Sequence, residues 1–163
     1  MPEAPDTILL RPARRDDLDA MAAITAEVFG PFSVDAAVEA ALGRAGKAGW
    51  ADLKAAGIRR AIDRYADACF VAERAGRVVG FVTCSVDESA SRGHILDLAV
   101  ARFCQNRGVG RRLLLRALER FRERGLQQAK IDTLETNPVG QHLYPSLGFR
   151  EVVRQIHYVM PLD

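Results

Sequence analysis

The chain has 163 residues, the size of one ordinary domain and too short for a dinucleotide-binding domain joined to a separate substrate domain. Its hydrophobic share of 48% and charged share of 27% are those of an average globular protein, which excludes a disordered or fibrous chain. The net charge of +2 does not favour nucleic acid as the main partner. No apolar run approaches the roughly 18 residues that a membrane span needs, so we expect no membrane partner.

Two further features bear on where the protein works. Residues 1–6 carry acids and prolines where a signal peptide has a basic start and an apolar run, so we expect a cytoplasmic protein. The three cysteines, Cys69, Cys84 and Cys104, are widely spaced and form neither a metal-ligand pattern nor a disulfide framework. We therefore predict three reduced thiols and no metal site.

The first half of the chain predicts one strand followed by helices. Residues 7–11 are a short strand, and a cap at Asp16 or Asp17 begins an apolar-striped helix that a Gly-Pro pair at 30–31 ends. Residues 33–67 predict more helix, broken at three closely spaced glycines.

In the second half, the apolar pattern changes to that of strands separated by turns. This order predicts a mixed sheet with helices on its faces. The predicted elements are strands at 69–72, 78–84 and 94–100, a helix that Gly125 ends, a strand at 129–135, a short helix opened by Asn137-Pro138, and one or two strands within 149–160.

One loop carries most of the chemical information. Leu98, Ala99 and Val100 close a buried strand, and the chain then runs through a loop with Gly108 and Gly110 into a helix. The first turn of a helix has four N–H groups without an internal partner, and these groups carry the positive end of the helix dipole. Since glycine lets a ligand approach the backbone closely, this loop predicts a phosphate or pyrophosphate site.

The charge of this segment supports the same interpretation. Residues 102–124 carry eight arginines and two acids, whereas residues 1–40 carry eight acids and three arginines. The small net charge therefore conceals a basic region around the loop, which suits an anionic ligand.

Two familiar phosphate-binding motifs do not fit the chain. A dinucleotide fingerprint needs a third glycine three residues after the second, where this chain has Leu113. A P-loop needs Gly-x4-Gly-Lys-Ser/Thr, and residues 43–48 have the wrong spacing and no hydroxyl. A nucleotide-binding domain of another kind and a plain tight turn are the alternatives for the loop.

The motif Gln105-x-x-Gly108-x-Gly110, directly after the strand that ends at Val100, resembles the acyl-CoA-binding motif of the GNAT acyltransferase superfamily. Upstream, residues 71–81 are similar to the second and third strands of that family. The resemblance covers most of residues 7–160 in order.

A second segment carries the same resemblance. Residues 137–149 are similar to the family's Asn…Leu-Tyr-x-x-Leu-Gly-Phe segment and lie at the family's distance downstream. Two departures are Gly140, where alanine is common, and Pro145, directly after the tyrosine.

The resemblance implies a single GNAT N-acetyltransferase domain over residues 1–163, with an α/β (α+β) fold. Its mixed, splayed central sheet would have six to seven strands and about four flanking helices. The sheet would part between the strands at 94–100 and 129–135, and the pantetheine arm of acyl-CoA would lie in that cleft.

The implied co-substrate is acetyl-CoA, without a metal. The backbone around Leu98, Ala99 and Val100 would pair with the amides of the arm, and Asn137 would contact it from the other side. Backbone donors, helped by guanidinium groups, would hold the pyrophosphate. The residues implied for this grip are Gln105, Asn106, Arg107, Gly108, Val109, Gly110, Arg111 and Arg112.

The implied reaction is direct attack of a primary amine on the acyl thioester. Tyr144 matches the family's acid for the departing thiolate and also borders the cofactor site; plain packing of its ring is the alternative. His94 aligns with a fourth-strand position where some members place a glutamate, so it is the candidate base, directly or through water. Asp97 is its competitor, three residues on, and lies on the opposite face of the strand unless a bulge intervenes.

The acceptor is not encoded in any motif. It could be a small amine, an amino acid or a protein amine, and Trp50, Phe29 and Phe32 are candidates for its pocket wall. A non-catalytic acyl-CoA-binding module or sensor is the alternative function. We expect no nucleic acid partner, and either a monomer or a homodimer.

Overall fold

A computed structural model describes residues 7–162 and shows an α/β domain with one five-stranded sheet and five α-helices. The N-terminal residues that predict a cytoplasmic protein lie outside the described range. In chain order the elements are β1 Ile8–Pro12, α1 Leu18–Val28, α2 Val34–Leu42, α3 Trp50–Tyr65, β2 Phe70–Arg74, β3 Arg77–Asp87, β4 Arg92–Val100, α4 Val109–Glu123, β5 Gln128–Ile131 and α5 Pro138–Ser146.

The strands lie in the order β1-β2-β3-β4-β5. The first four are antiparallel to their neighbours, and β5 pairs parallel to β4. A parallel pair needs a crossover, and α4 supplies it. The predicted mixed sheet with helices on its faces is confirmed.

Local interactions fix the entry into the helices. Arg11 at the end of β1 donates two hydrogen bonds of 2.8 Å to Asp17 and one to Glu73. This guanidinium holds the pKa of the Asp17 carboxyl below its usual value. The Ser33 hydroxyl caps α2, and the Asn137 side chain caps α5, where Pro138 takes the first position.

The sheet separates two apolar clusters. We call the side covered by α4 the α4 face and the side covered by α1 and α3 the α3 face. The cluster of the α4 face joins strand residues such as Ile95 to Leu113 and Phe121. The cluster of the α3 face joins strand residues such as Phe81 to Met21 and Ile58. Both faces of the central strands are therefore buried, as their nearly continuous apolar sequence predicts.

The sheet opens between β4 and β5. Their pairing runs from Arg92 with Gln128 to Ile95 with Ile131, and β5 ends there while β4 continues to Val100. Over its last five residues β4 keeps its pairing with β3 except at Leu96, and it has no strand on its other side among the described residues. The expected parting of the sheet is present at this point.

The prediction of six to seven strands is wrong, because the described residues 150–162 form no strand. The segment is exposed throughout, with Val152 at 90% and Tyr158 at 87% exposure. Its β-branched and aromatic residues favour a strand, but that preference is expressed only against a partner strand. Here β5 is four residues long and ends at Ile131, short of the predicted end at 135.

Three smaller expectations can also be compared with the structure. The described cysteines are all free and buried. In residues 7–162 no group of three His, Cys, Asp or Glu side chains is placed to hold a metal ion. None of the helices described is long and apolar enough to cross a membrane.

Candidate active site

The loop before α4 presents a row of backbone donors. Gly108 adopts the left-handed conformation with φ +76°, and Asn106 does so with φ +59°. The amides from Asn106 to Arg111 have no acceptor within residues 7–162, whereas the Gln105 amide donates to the Arg102 carbonyl at 3.2 Å. Left-handed residues turn successive N–H groups into a concave nest that suits an anion, and the positive end of α4 adds to its field.

Hydrogen bonds to the sheet fix the start of this loop. The Ala101 amide donates to the Val79 carbonyl at 2.9 Å, and the Gln105 side-chain amide donates to the Val100 carbonyl at 3.0 Å. Gln105, the first residue of the motif, thus holds the loop against the end of β4, and the donors that the loop presents are those of its backbone. An added Cβ on Gly110 would lie 3.7 Å from Val100, so the protein itself does not require glycine there.

The three arginines implied for phosphate binding are placed differently from one another. Arg107 is exposed on the loop. Arg111 donates to the Ser146 hydroxyl of α5 at 2.9 Å, which bridges α4 and α5 across the opening. Arg112 donates to the Ile8 carbonyl of β1 at 2.9 Å, at the opposite edge of the sheet. Its guanidinium is therefore the most distant of the three from the opening.

A bulge in β4 decides the relation between the two candidate bases. Thr83 pairs with Asp97 and the next residue of β3, Cys84, pairs with Ile95, so Leu96 is an extra residue. Because Ile95 belongs to the cluster of the α4 face, alternation places His94 on the α3 face. The bulge returns Asp97 to that same face, where it contacts α3.

Asp97 is held in a polar cluster within an otherwise apolar face. Its carboxylate accepts a hydrogen bond of 2.6 Å from the Thr83 hydroxyl and lies 2.5 Å from the Lys54 ammonium. The Asp97 side chain is 7% exposed and that of Lys54 is 25% exposed. The same ammonium stands 4.8 Å from the centre of the Phe29 ring, a cation–π contact.

His94 lies at the closed end of the opening. Its Nε2 is 2.8 Å from the Asp132 carboxylate, just beyond β5, and Asp132 also pairs with Lys130 at 3.3 Å. A carboxylate against one ring nitrogen fixes the orientation of the imidazole. His94 and Asp97 therefore both lie on the α3 face, where His94 contacts Asp132 and Asp97 contacts Lys54.

Tyr144 lies on α5, on the other side of the opening. Its ring packs edge-on against Phe149 at 6.2 Å and joins the cluster of the α4 face. Burial raises the pKa of the hydroxyl above its ordinary value, so the group stays protonated at neutral pH. An added Cβ on Gly140 would lie 2.9 Å from the Tyr144 ring and 3.0 Å from Asn137. Glycine at 140 is thus required for the tyrosine's position.

Comparison with known proteins decides the family. The model of the Acetyltransferase (GNAT) family matches residues 36–149, more than half of the chain, including the loop, the opening and Tyr144. The protein belongs to the GNAT acetyltransferase family.

Curated relatives of this GNAT chain include an N-alpha-acetyltransferase and a mycothiol acetyltransferase. An N-alpha-acetyltransferase MAK3 of Arabidopsis thaliana is 30% identical over 94 residues, 56% of this chain and 50% of the relative. A mycothiol acetyltransferase of Thermomonospora curvata is 35% identical over 92 residues, 56% of this chain and 31% of the relative. The chain thus spans about half or less of the length of these curated relatives.

Solved GNAT structures share the fold at low identity. The PaiA N-acetyltransferase of Thermoplasma acidophilum, solved with coenzyme A, has a TM-score of 0.71 at 18% identity, over 88% of this chain and 90% of that one. The ribosomal-protein-S18-alanine N-acetyltransferase of Escherichia coli has a TM-score of 0.68 at 20% identity, over 90% and 80%.

Reasoning from the sequence missed Lys54 and Thr83 of this GNAT site. The signal for Lys54 lay in the helix pattern, since it stands four residues before Ile58 on the apolar stripe of α3. A lysine on a buried stripe needs a partner, and Asp97 is that partner. Thr83 gave no signal in the sequence, because a threonine in a buried strand is common.

Proposed function

We propose that this protein transfers an acetyl group from acetyl-CoA to a primary amine by direct attack, with both substrates bound together in one domain over residues 1–163. The observation that carries the proposal is the row of amides from Asn106 to Arg111, which have no acceptor within residues 7–162. Six donors at a helix start, next to an open strand edge, suit a pyrophosphate followed by a chain that bears amides.

The opening beside β4 is where we place the pantetheine arm. Beyond Ile131, where β5 ends, the edge of β4 has no partner strand among the described residues. The amides of the arm would form hydrogen bonds to this free edge, along Leu98, Ala99 and Val100. Asn137 would face the arm from the α5 side, although its side chain already caps α5 and donates to the Thr133 hydroxyl at 3.0 Å. The thioester would then lie near the bulge, between Tyr144 and the α3 face.

The chemistry asks the protein for two proton transfers. A lysine-like amine has a pKa of about 10.4, so deprotonating it at pH 7 costs about 4.6 kcal/mol. His94 or Asp97, directly or through water, would take this proton, and both lie on the α3 face. As the amine nitrogen forms its bond to the acyl carbon, the carbon–sulfur bond would break and the Tyr144 hydroxyl would supply a proton to the thiolate. The nitrogen, cationic once bonded, would release its second proton to give the amide, and solvent would return a proton to Tyr144.

Covalent catalysis by Cys69 or Cys84 does not fit this site. Burial raises the pKa of the Cys69 thiol to about 11 and that of Cys84 well above its ordinary value. Such thiols carry almost no thiolate at neutral pH and are poor nucleophiles. Direct attack by the amine needs no acyl-enzyme.

The proposal is tested by incubating the protein with acetyl-CoA and a panel of amines: polyamines, amino acids and peptides with free N-termini. Release of the coenzyme A thiol that depends on one acceptor class supports transfer. Tight acetyl-CoA binding without thiol release for any acceptor would favour a sensor. An absence of acetyl-CoA binding, measured by thermal shift with a dinucleotide as control, would contradict the proposal.

A further inference from the structure

Lys54 is an amine of the chain itself on the face where the acceptor is expected. The chain has three lysines. Lys47 is exposed in the connection between α2 and α3, and Lys130 is half exposed on β5. Lys54 is the least exposed of the three, and its ammonium lies on the α3 face, 2.5 Å from Asp97.

The geometry of β4 brings the acetyl end of the co-substrate toward this ammonium. The amide row lies beyond Val100, at the end of the strand, and the bulge lies four residues back, about 13 Å along an extended strand. An extended pantetheine arm, with two amide groups, has a length of about four extended residues. If the loop holds the pyrophosphate of acetyl-CoA, the thioester at the other end of the arm would therefore lie beside Leu96 and Asp97.

The contacts of Lys54 hold its nitrogen without enclosing it. The ammonium contacts one carboxylate oxygen of Asp97, while the Thr83 hydroxyl occupies the other. The Phe29 ring covers one side at 4.8 Å, and a quarter of the side chain is exposed. An acceptor amine bound at Asp97 would have to displace Lys54, so Lys54 occupies the place of an acceptor.

We propose that the protein acetylates its own Lys54 within the same molecule when acetyl-CoA is bound and no acceptor competes. This inference rests on the proposed function. The Lys54 nitrogen loses a proton to solvent by way of Asp97 and forms a bond to the acyl carbon. The carbon–sulfur bond breaks and coenzyme A leaves as a thiolate. The second proton of the nitrogen passes to that thiolate, so that a neutral amide replaces the ammonium. No further reactant is needed.

The test uses the full chain with isotope-labelled acetyl-CoA, so that only new acetyl groups are counted, and peptide mass spectrometry at all three lysines. Proximity predicts that labelling of Lys54 exceeds that of Lys47 by at least about tenfold, although Lys47 is more exposed. The labelled fraction at Lys54 should grow at a rate that does not depend on protein concentration. Free coenzyme A and a good acceptor amine should both suppress it.

Two controls separate transfer at the site from chemical acetylation. Acetyl phosphate, which donates an acetyl group without using the coenzyme A site, should label Lys47 ahead of Lys54 because it follows exposure. The Lys54→Arg variant keeps a cation beside Asp97 and should lose the Lys54 label, with labelling of Lys47 and Lys130 unchanged. Label confined to Lys47 or Lys130, the same order with both donors, or a rate that rises with protein concentration would overturn the inference.

The same samples distinguish this inference from the proposed function. If an acceptor amine releases coenzyme A while Lys54 stays unlabelled, self-acetylation is wrong and the transferase proposal stands. If neither acceptor turnover nor acetyl-CoA binding is seen, both are wrong.

Discussion

The two ends of the opening beside β4 are formed by different kinds of chemical group. At the loop end, backbone amides from Asn106 to Arg111 form the proposed co-substrate site, and the side chain of Gln105 holds the loop in place. At the bulge end, side chains from separate segments meet: Lys54 from α3, Thr83 from β3 and Asp97 from β4. The geometry of a site built from backbone amides is set by the local conformation of the chain. The geometry of a site built from side chains of separate segments is set by how those segments pack together. We expect the co-substrate end to be the part shared by GNAT proteins with different acceptors.

The largest effect on the loop end, with the bulge end left intact, is expected from a carboxylate placed in the row of amides. In Gly110→Glu, the added Cβ makes only ordinary contacts with Val100 and Leu98, and a negative charge in the first turn favours the helix. Beside a pyrophosphate the same charge should cost several kcal/mol, a loss of affinity for acetyl-CoA of about 100-fold or more. Calorimetric titration with acetyl-CoA measures this loss, and the melting temperature should not fall.

Gly110→Ala is the matched control, because its Cβ makes only ordinary contacts. If Gly110→Glu binds acetyl-CoA like the parent protein, the pyrophosphate does not lie at this turn.

Tyr144→Phe should lower turnover at least about tenfold and leave acetyl-CoA affinity unchanged, since it removes only the proton donor. Because the folded-state pKa of Tyr144 is raised above its ordinary value of 10.0, its contribution to stability is present below that pH. The contribution is lost as the pH rises through the folded-state pKa. Melting temperatures from neutral to strongly alkaline pH should therefore fall less steeply in the variant. Unchanged turnover would leave Tyr144 as a packing residue.

Asp97→Asn separates the stability of the acceptor end from its chemistry. It leaves the Lys54 ammonium without its carboxylate, and because Lys54 is a quarter exposed we expect a loss of about 1–2 kcal/mol in the free energy of unfolding. Adding Lys54→Met should restore much of that stability, since an apolar pair replaces a broken ion pair. Urea unfolding measures both variants. Turnover that recovers together with stability would exclude Asp97 as the base.

His94→Ala addresses the other candidate base. If His94 takes the amine proton, the variant should lose turnover and its pH profile should differ from that of the parent protein. Asp132 should lose one of its two partners with little effect on folding, because its carboxylate is 63% exposed and keeps Lys130. Turnover measured from pH 6 to 9 checks this expectation. A profile identical to that of the parent protein would assign the proton transfer to Asp97 or to water.

Gly140→Ala is expected to have the smallest effect. The new methyl group would meet the Tyr144 ring at 2.9 Å, so the ring must shift, at a cost of about 1 kcal/mol or more. Turnover should fall by a few fold, less than in Tyr144→Phe, because the hydroxyl is moved and not removed. A crystal structure of the variant with an unmoved ring would contradict this explanation.

The difference between the two ends also explains how far the sequence could predict the molecule. The spacing of Gln105, Gly108 and Gly110 predicted the loop, the helix after it and the family, because glycine positions restrict backbone conformation. The Lys54–Asp97 pair joins residues 43 positions apart, and a single sequence carries no record of such a contact. The bulge at Leu96 is equally hidden, since it appears only in the register between β3 and β4.

The prediction of one or two strands within residues 149–160 failed for a related reason. Residues 149–160 have the apolar, β-branched composition of a strand, and composition was the only information that the sequence offered there. Whether a ladder forms depends on the length and position of the neighbouring edge, and β5 ends at Ile131.

The bulge at Leu96 shifts the alternation of side chains between the two faces of β4 by one residue. Upstream of Leu96 the odd-numbered positions, such as Ile95, turn toward α4; downstream the even-numbered ones, such as Leu98, do so. If Leu96 instead took a regular, paired place in the strand, every later side chain would lie on the opposite face, with the Asp97 carboxylate in the apolar cluster of the α4 face and Leu98 on the α3 face. The arrangement of the proposed site thus depends on a backbone irregularity at Leu96, whose own side chain takes no part in it.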